Sequence, residues 1–227
     1  MPKIRSKRYR ESRTKLSGGK LRVAEAVKAL KALPATKFDA TVDVVMHLGV
    51  DVKQPEQALR GAVSLPHGIG VSKKVIAFCD GEDVARAKAA GATEAGGDDL
   101  IKKISDGWAD FDVAVSTPAM MRSVSKLGRI LGPQGKMPSP KSGTVVTDIP
   151  TAVKEYAAGK VEYRTDDGGN IHAPVGKVSF EEAKLTENVE AFINHIKRLR
   201  PPTAKGVYIL KASLSATMSP SITLEVE

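Results

Sequence analysis

Between Asp112 and Asp148 the chain carries no acidic residue, while Arg122, Lys126, Arg129, Lys136 and Lys141 accumulate. Glycine and proline stiffen the same stretch through Gly132-Pro133-Gln134-Gly135-Lys136-Met137-Pro138-Ser139-Pro140-Lys141-Ser142-Gly143. A rigid, basic, acid-free segment suits a phosphate backbone, because each neutralised phosphate releases condensed counterions. The same residues also read as a surface loop whose glycines and prolines only set its path.

Other chemistries find less support. Gly68-Ile69-Gly70-Val71-Ser72-Lys73 lacks the third glycine of a dinucleotide fingerprint and precedes a strand, where the fingerprint must follow one. The Gly135-Lys136 pair lacks the earlier glycine of a phosphate loop and the Ser/Thr that would hold magnesium. His47, His67, His172 and His195 stand far apart with no ligand partner at metal spacing, so no metal or cofactor is expected. Cys79, the sole cysteine, lies in the apolar run Val75-Ile76-Ala77-Phe78-Cys79 and reads as an inert buried thiol in a reducing cytoplasm. No Gly-x-Ser-x-Gly elbow occurs and no carboxylate pair has a spacing that implies acid-base work, so no catalytic residue is assigned.

The whole chain carries the basic bias of its central segment: 35 Lys+Arg against 26 Asp+Glu give a net charge of +9 over 227 residues. With 41% hydrophobic residues it has enough apolar material for a core, and no apolar run reaches membrane-span length. Aromatic residues make up only 4%, which disfavours a stacking platform for single strands and favours recognition of a folded RNA shape.

The elements that must position these residues follow from periodicity. Residues 1–22 hold nine cations, among them Lys3, Arg5, Lys7, Arg8, Arg10 and Arg13, against one acid, Glu11. This arm reads either as a segment that orders on phosphates or as a solvated tail. Residues 21–33 have helical spacing up to Pro34, and residues 41–48 alternate as a half-buried strand. Ser179 and Glu182 have capping-box spacing before a helix that runs to Pro201, and strands are expected over 207–214 and 221–226. In the middle, strands over 75–79 and 111–115 alternate with helices over 83–90 and 98–105, which implies a parallel sheet covered on both faces. The rhythm predicts an α/β chain whose two flanks are strand and helix units of an α+β sandwich; if those flanks pair with each other, the middle is a domain inserted into one parent domain, joined near Pro66-His67-Gly68 and Ala158-Gly159-Lys160.

Residues 125–145, from Ser125-Lys126-Leu127-Gly128-Arg129-Ile130-Leu131 through the glycine-proline run to Thr144-Val145, closely resemble the signature of the ribosomal protein L-one family. The resemblance continues at Lys37-Phe38-Asp39-Ala40-Thr41-Val42, Arg60-Gly61-Ala62-Val63-Ser64-Leu65-Pro66-His67-Gly68, Val161-Glu162-Tyr163-Arg164, Ile171-His172-Ala173-Pro174-Val175-Gly176-Lys177 and Thr217-Met218-Ser219-Pro220. It implies an α+β RNA-binding parent domain made from both chain ends, over 1–67 and 160–227, with a split β-α-β core, and an inserted Rossmann-like three-layer α/β/α domain over 68–159 that binds no nucleotide.

It further implies a non-catalytic protein of the cytoplasmic ribosome, with no membrane partner and no small-molecule substrate. Its expected partners are the stalk of the large-subunit ribosomal RNA, exit-site tRNA, whose release it assists, and its own messenger RNA, which it represses. RNA contacts transfer to Lys37, Phe38, Thr41, Ser215, Thr217 and Met218, and to Arg164, Asp166, His172 and Lys177. The signature loop supplies Gly128, Arg129, Gly132, Gly135, Lys136, Pro138 and Lys141. Plain structural readings stand beside these: Phe38 as an edge of the core, Met218 as a gap filler, Gly132 and Gly135 as turn residues. Three positions depart from the family pattern. Ser219 replaces a common glycine and is strained if its φ is positive, Asp167 replaces a common lysine, and Ala40 a common acid.

A Rossmann-type enzyme is the rival from another class, motivated by the βαβ rhythm alone. Tight calorimetric binding of a dinucleotide or nucleoside triphosphate would revive it.

Overall fold

Part of the basic arm, Lys7–Lys15, is helical. In the structure, a computed structural model that describes residues 6–16, 18–54 and 56–226, Ser6 accepts a hydrogen bond from the Tyr9 N–H and caps α1 (Lys7–Lys15). Ser12 is buried on its inner side, so this part of the arm packs against the unit. Lys3 and Arg5 of the arm lie outside the described residues.

The chain divides into two compact units, Met1–Gly70 with Tyr163–Glu227, and Val71–Glu162. The first unit opens with α1 and α2 (Val23–Lys31); Leu21, expected in that helix, instead pairs beside Leu224. Then comes β1 (Thr41–Leu48), whose strict alternation buries Val42, Val44, Met46 and Leu48 on one face. β2 (Arg60–Val63) follows.

The second unit is built on β3 (Val75–Phe78), all four of whose residues are buried. After it come α3 (Glu82–Ala89), β4 (Glu94–Gly96), α4 (Asp98–Ser105) and β5 (Val113–Ser116). The strands form a parallel sheet in the order β4-β3-β5. Ile76 and Phe78 pack on one side with Leu100, Ile104 and Phe111, while Val75, Ala77 and Cys79 pack on the other with Ala87 and Val153. A strand covered on both faces must be apolar throughout, as β3 is. Burial, then the nearby Asp83 and Asp80 carboxylates, push the Cys79 thiol up to about 11.

Residues 121–131 make three short helical pieces, α5 (Met121–Val124), a 3-10 turn (Ser125–Leu127) and α6 (Gly128–Leu131). A loop then leads to α7 (Ile149–Ala157), capped by Asp148.

β6 (Val161–Arg164) pairs with β2 in a two-stranded ribbon. The chain turns at residues 166–169 into β7 (Asn170–Lys177), then runs through α8 (Glu182–Arg198), β8 (Ile209–Ala216) and β9 (Ile222–Leu224). The main sheet of the first unit has the order β7-β1-β8-β9. β7 and β8 both run antiparallel to β1, so they are parallel to each other and joined through α8, a split β-α-β. α2 and α8 cover one face of this sheet with Val27, Leu30, Leu185, Val189, Phe192 and Ile196. The expected capping box does not form: Glu181 occupies the N-cap of α8, and Ser179 instead donates its hydroxyl to Asp39 at 2.8 Å. Asp39 lies across the chain, a partner that local spacing cannot reveal. No helix among the described residues is long and apolar enough to cross a membrane.

Candidate nucleic-acid interface

The second face of the main sheet is polar and half open. Thr41, Asp43, Val45 and His47 of β1 point to it, flanked by Lys177, Pro174, His172 and Asn170 of β7 and by Ser215, Ser213 and Lys211 of β8. Strand pairing thus sets Asp43 beside Ser215 and Val45 between His172 and Ser213. Partial burial raises the Asp43 carboxyl above its ordinary value, against the pull of His172 and Lys177.

At the start of β1 the chain ends meet in a corner. The Thr217 N–H donates to the Thr41 carbonyl at 2.9 Å and its hydroxyl reaches the same oxygen at 3.3 Å, while Lys177 donates to the Thr41 hydroxyl at 2.8 Å. This pins the turn after β8 against the segment before β1. Phe38 and Met218 flank a shared cleft, with Leu30, Leu33, Ala40 and Thr217 in its lining. Both stay in water: Phe38 is 53% and Met218 69% exposed, large apolar side chains that the fold leaves uncovered. Lys37, next to Phe38, is exposed and has no partner among the described residues. Ammonium, aromatic ring and hydroxyl stand together, a set that can meet phosphate, sugar and base edge at one place.

The turn resolves the question raised by Ser219. The positive φ falls on Met218, at 68°, and Ser219 is not in the left-handed region. The Ser219 hydroxyl accepts from the Ala216 N–H and donates to the Ala216 carbonyl, both at 2.9 Å, closing the turn that a glycine would leave to its backbone. The strain expected at Ser219 is therefore absent there and sits one residue earlier. Ala40 is buried and its carbonyl accepts from the Val178 N–H, while Asp167 is exposed in the hairpin turn.

Not all predicted contacts join this corner. Lys37, Phe38, Thr41, Lys177, Ser215, Thr217 and Met218 gather there, but His172 lies opposite Val45, four residues along β1 from Thr41, roughly 13 Å away. Arg164 and Asp166 lie farther on, toward the hairpin of β6 and β7. Asp166 is largely committed to that hairpin. It accepts from the N–H groups of Asn170 at 2.7 Å and Gly168 at 2.9 Å, and these bonds, with the Asn170 side chain, hold its carboxyl below the usual range. Gly169 closes the turn with φ 74°, and a side chain there would press on the Leu48 carbonyl.

The signature loop, in the second unit, is bound to its own unit. Lys136 donates to the Ala109 carbonyl at 3.0 Å and lies over the Phe111 ring. Thr144 accepts from the Ser139 N–H at 2.8 Å, Tyr156 donates to the Ser142 carbonyl at 2.8 Å, and Pro138 is buried. A Cβ on Gly132 would stand 2.5 Å from the Gly128 carbonyl, so glycine is required there by close approach, while Gly135 sits exposed in the turn. Arg129 and Lys141 are the exposed cations of this group.

Sequence reasoning missed Arg8, which donates to the Met218 carbonyl at 3.0 Å from a position 210 residues away. It also missed Asp43 and Ser213, although the alternation of β1 marks Asp43 as facing away from the core.

Residues 29–220 match the profile of the Ribosomal protein L1p/L10e family. Over 226 residues the chain is 48% identical to the large ribosomal subunit protein uL1 of Kosmotoga olearia and 50% identical to that of Lactobacillus acidophilus, covering 99% of this chain and 97% and 98% of those proteins. The uL1 of Limosilactobacillus reuteri is 47% identical over 227 residues, all of this chain and 99% of its own. With agreement of this depth along nearly the full length, the chain belongs to the ribosomal protein L1 family.

Proposed function

We propose that this chain is a structural, non-enzymatic constituent of the large ribosomal subunit that binds the stalk of the large-subunit ribosomal RNA. The domain built from both chain ends carries that RNA, and the inner unit is an insertion. The carrying observation is the corner at the start of β1: Phe38 and Met218 stand exposed around Thr217, whose backbone and hydroxyl are fixed on Thr41. An exposed aromatic ring, an exposed thioether and a free ammonium stand together at this corner. A folded RNA helix offers ribose faces and phosphates that fit all three.

On the same reading the protein assists release of exit-site tRNA, and it represses its own messenger by binding an RNA element shaped like the ribosomal site. The test is a salt series of binding to the isolated stalk RNA beside a scrambled duplex of equal length. Preference for the stalk that persists as salt rises supports the reading, and equal binding that collapses with salt overturns it.

A further inference from the structure

The profile match begins at residue 29, so α1 lies outside it. This helix has an unusual composition for a docked element: five cations, one acid and no acidic residue in its first turn, where the macrodipole would favour one. Its intrinsic stability is therefore poor, and its contacts with the rest of the unit are few. Arg8 donates to the Met218 carbonyl, Ser12 is buried, and both line the cleft that holds Phe38 and Met218. Tyr9, Arg13 and Leu16 line an open groove with residues 220–223, in which Arg13 stays exposed.

The inner side of the helix is thus spent on the Met218 turn. Its outward cations are not. Lys7, Arg10 and Arg13 are exposed and have no partner among the described residues, whereas Lys15 is paired with Glu11. Spacing of three residues keeps Lys7, Arg10 and Arg13 on one broad side of the helix, with about 4.5 Å of rise between neighbours.

We infer that α1 is a second arm of the RNA interface: Lys7, Arg10 and Arg13 contact phosphates flanking the Phe38–Met218 corner, and Arg8 is a positioning residue that holds the Met218 turn. The inference rests on the RNA reading of that corner. Charge complementarity selects a polyanion, and continuity with the corner selects the same RNA. The cations supply affinity and salt dependence, while discrimination between RNAs stays with Phe38, Thr217 and Met218.

The experiment uses the full chain and the isolated stalk RNA, with the scrambled duplex as reference, across a salt series. The triple variant Lys7→Gln, Arg10→Gln, Arg13→Gln is expected to flatten the slope of log K against log salt by about 2 to 3, since each lost phosphate contact removes about 0.7 to 0.9. Its preference for the stalk over the scrambled duplex is expected to be retained. Arg8→Ala is expected to lower that preference several-fold with a smaller change in slope, and Arg8→Lys to restore it, because an ammonium can also donate to the carbonyl. Circular dichroism establishes that the helix content is unchanged. An unaltered slope in the triple variant, with stalk preference intact in the parent chain, overturns this inference alone. Absence of stalk preference in the parent chain overturns the RNA reading beneath it.

Discussion

The corner at the start of β1 and the loop over residues 132–144 contrast in how they use their polar groups. In the loop, Thr144, Ser142, Tyr156 and Lys136 are spent on neighbouring carbonyls and amides of the same unit, and Pro138 is buried. In the corner, backbone bonds fix the frame while Phe38, Lys37 and Met218 remain unspent. The longest stretch of family signature is thus largely a self-knit structure, and the surface best suited to a partner is carried by two short motifs at opposite ends of the chain. A motif's length measures how tightly a segment is constrained, and internal bonding constrains as strongly as ligand contact does.

This contrast can be broken by substitution. Phe38→Ala and Thr217→Val should each weaken stalk-RNA binding by about 1 to 3 kcal/mol with little change in melting temperature, measured by filter binding and calorimetry. Unchanged affinity in both would remove the corner from the interface.

Thr144→Val should behave in the opposite way. It leaves the half-buried Ser139 N–H without its acceptor beside the buried Thr144 and should destabilise the protein by about 1 to 3 kcal/mol, while leaving RNA affinity alone. Cys79 reports on this directly. Its thiol is buried and pushed up to about 11, so a thiol reagent at pH 8 should label it slowly in the parent chain and in Phe38→Ala, but faster in Thr144→Val. Equal labelling rates in all three would show that the loop does not brace the second unit.

Ser219→Gly should cost about 0.5 to 1.5 kcal/mol in stability, because the hydroxyl bonded to Ala216 is lost and no strain is relieved. Met218→Gly should instead ease the positive φ and stabilise the turn while weakening RNA binding. A gain in stability for Ser219→Gly, read by urea unfolding, would place the strain at residue 219 after all.

The smallest effect concerns Asp166. Hydrogen bonds from Asn170 first, then from Gly168, depress its carboxyl in the folded state. Its contribution to stability is therefore fully present above the ordinary value of 3.8 and is lost as pH falls through the lower folded value. The stability difference between parent and Asp166→Ala should be constant near neutral pH and shrink below pH 3.8; a difference that grows on acidification would reverse the sign argued here.

What the sequence reveals depends on whether a constraint is local. β1 is legible to the residue because one covered face imposes a strict period of two, and α4 because its apolar residues recur at helical spacing. β7 goes unread as a strand because Pro174 and Gly176 interrupt the pattern at the point where its register shifts against β1. β4 is three residues long, too short for any period to show. α1 reads as a charged arm because its inward side offers one serine and a guanidinium in place of an apolar stripe. Phe38, Thr217 and Met218 are legible as motif residues. That Arg8 braces the last of them is not, since only folding brings the two together.

The order of the strands has a consequence for biosynthesis. β1 is synthesised early, but its neighbours β7 and β8 and the Thr217–Met218 turn come from the last third of the chain. The first unit can close only after Met218 has left the synthesising ribosome, whereas every strand of the second unit's sheet is available long before. A nascent or truncated chain therefore lacks the corner, so any partner that reads it can engage only a finished molecule.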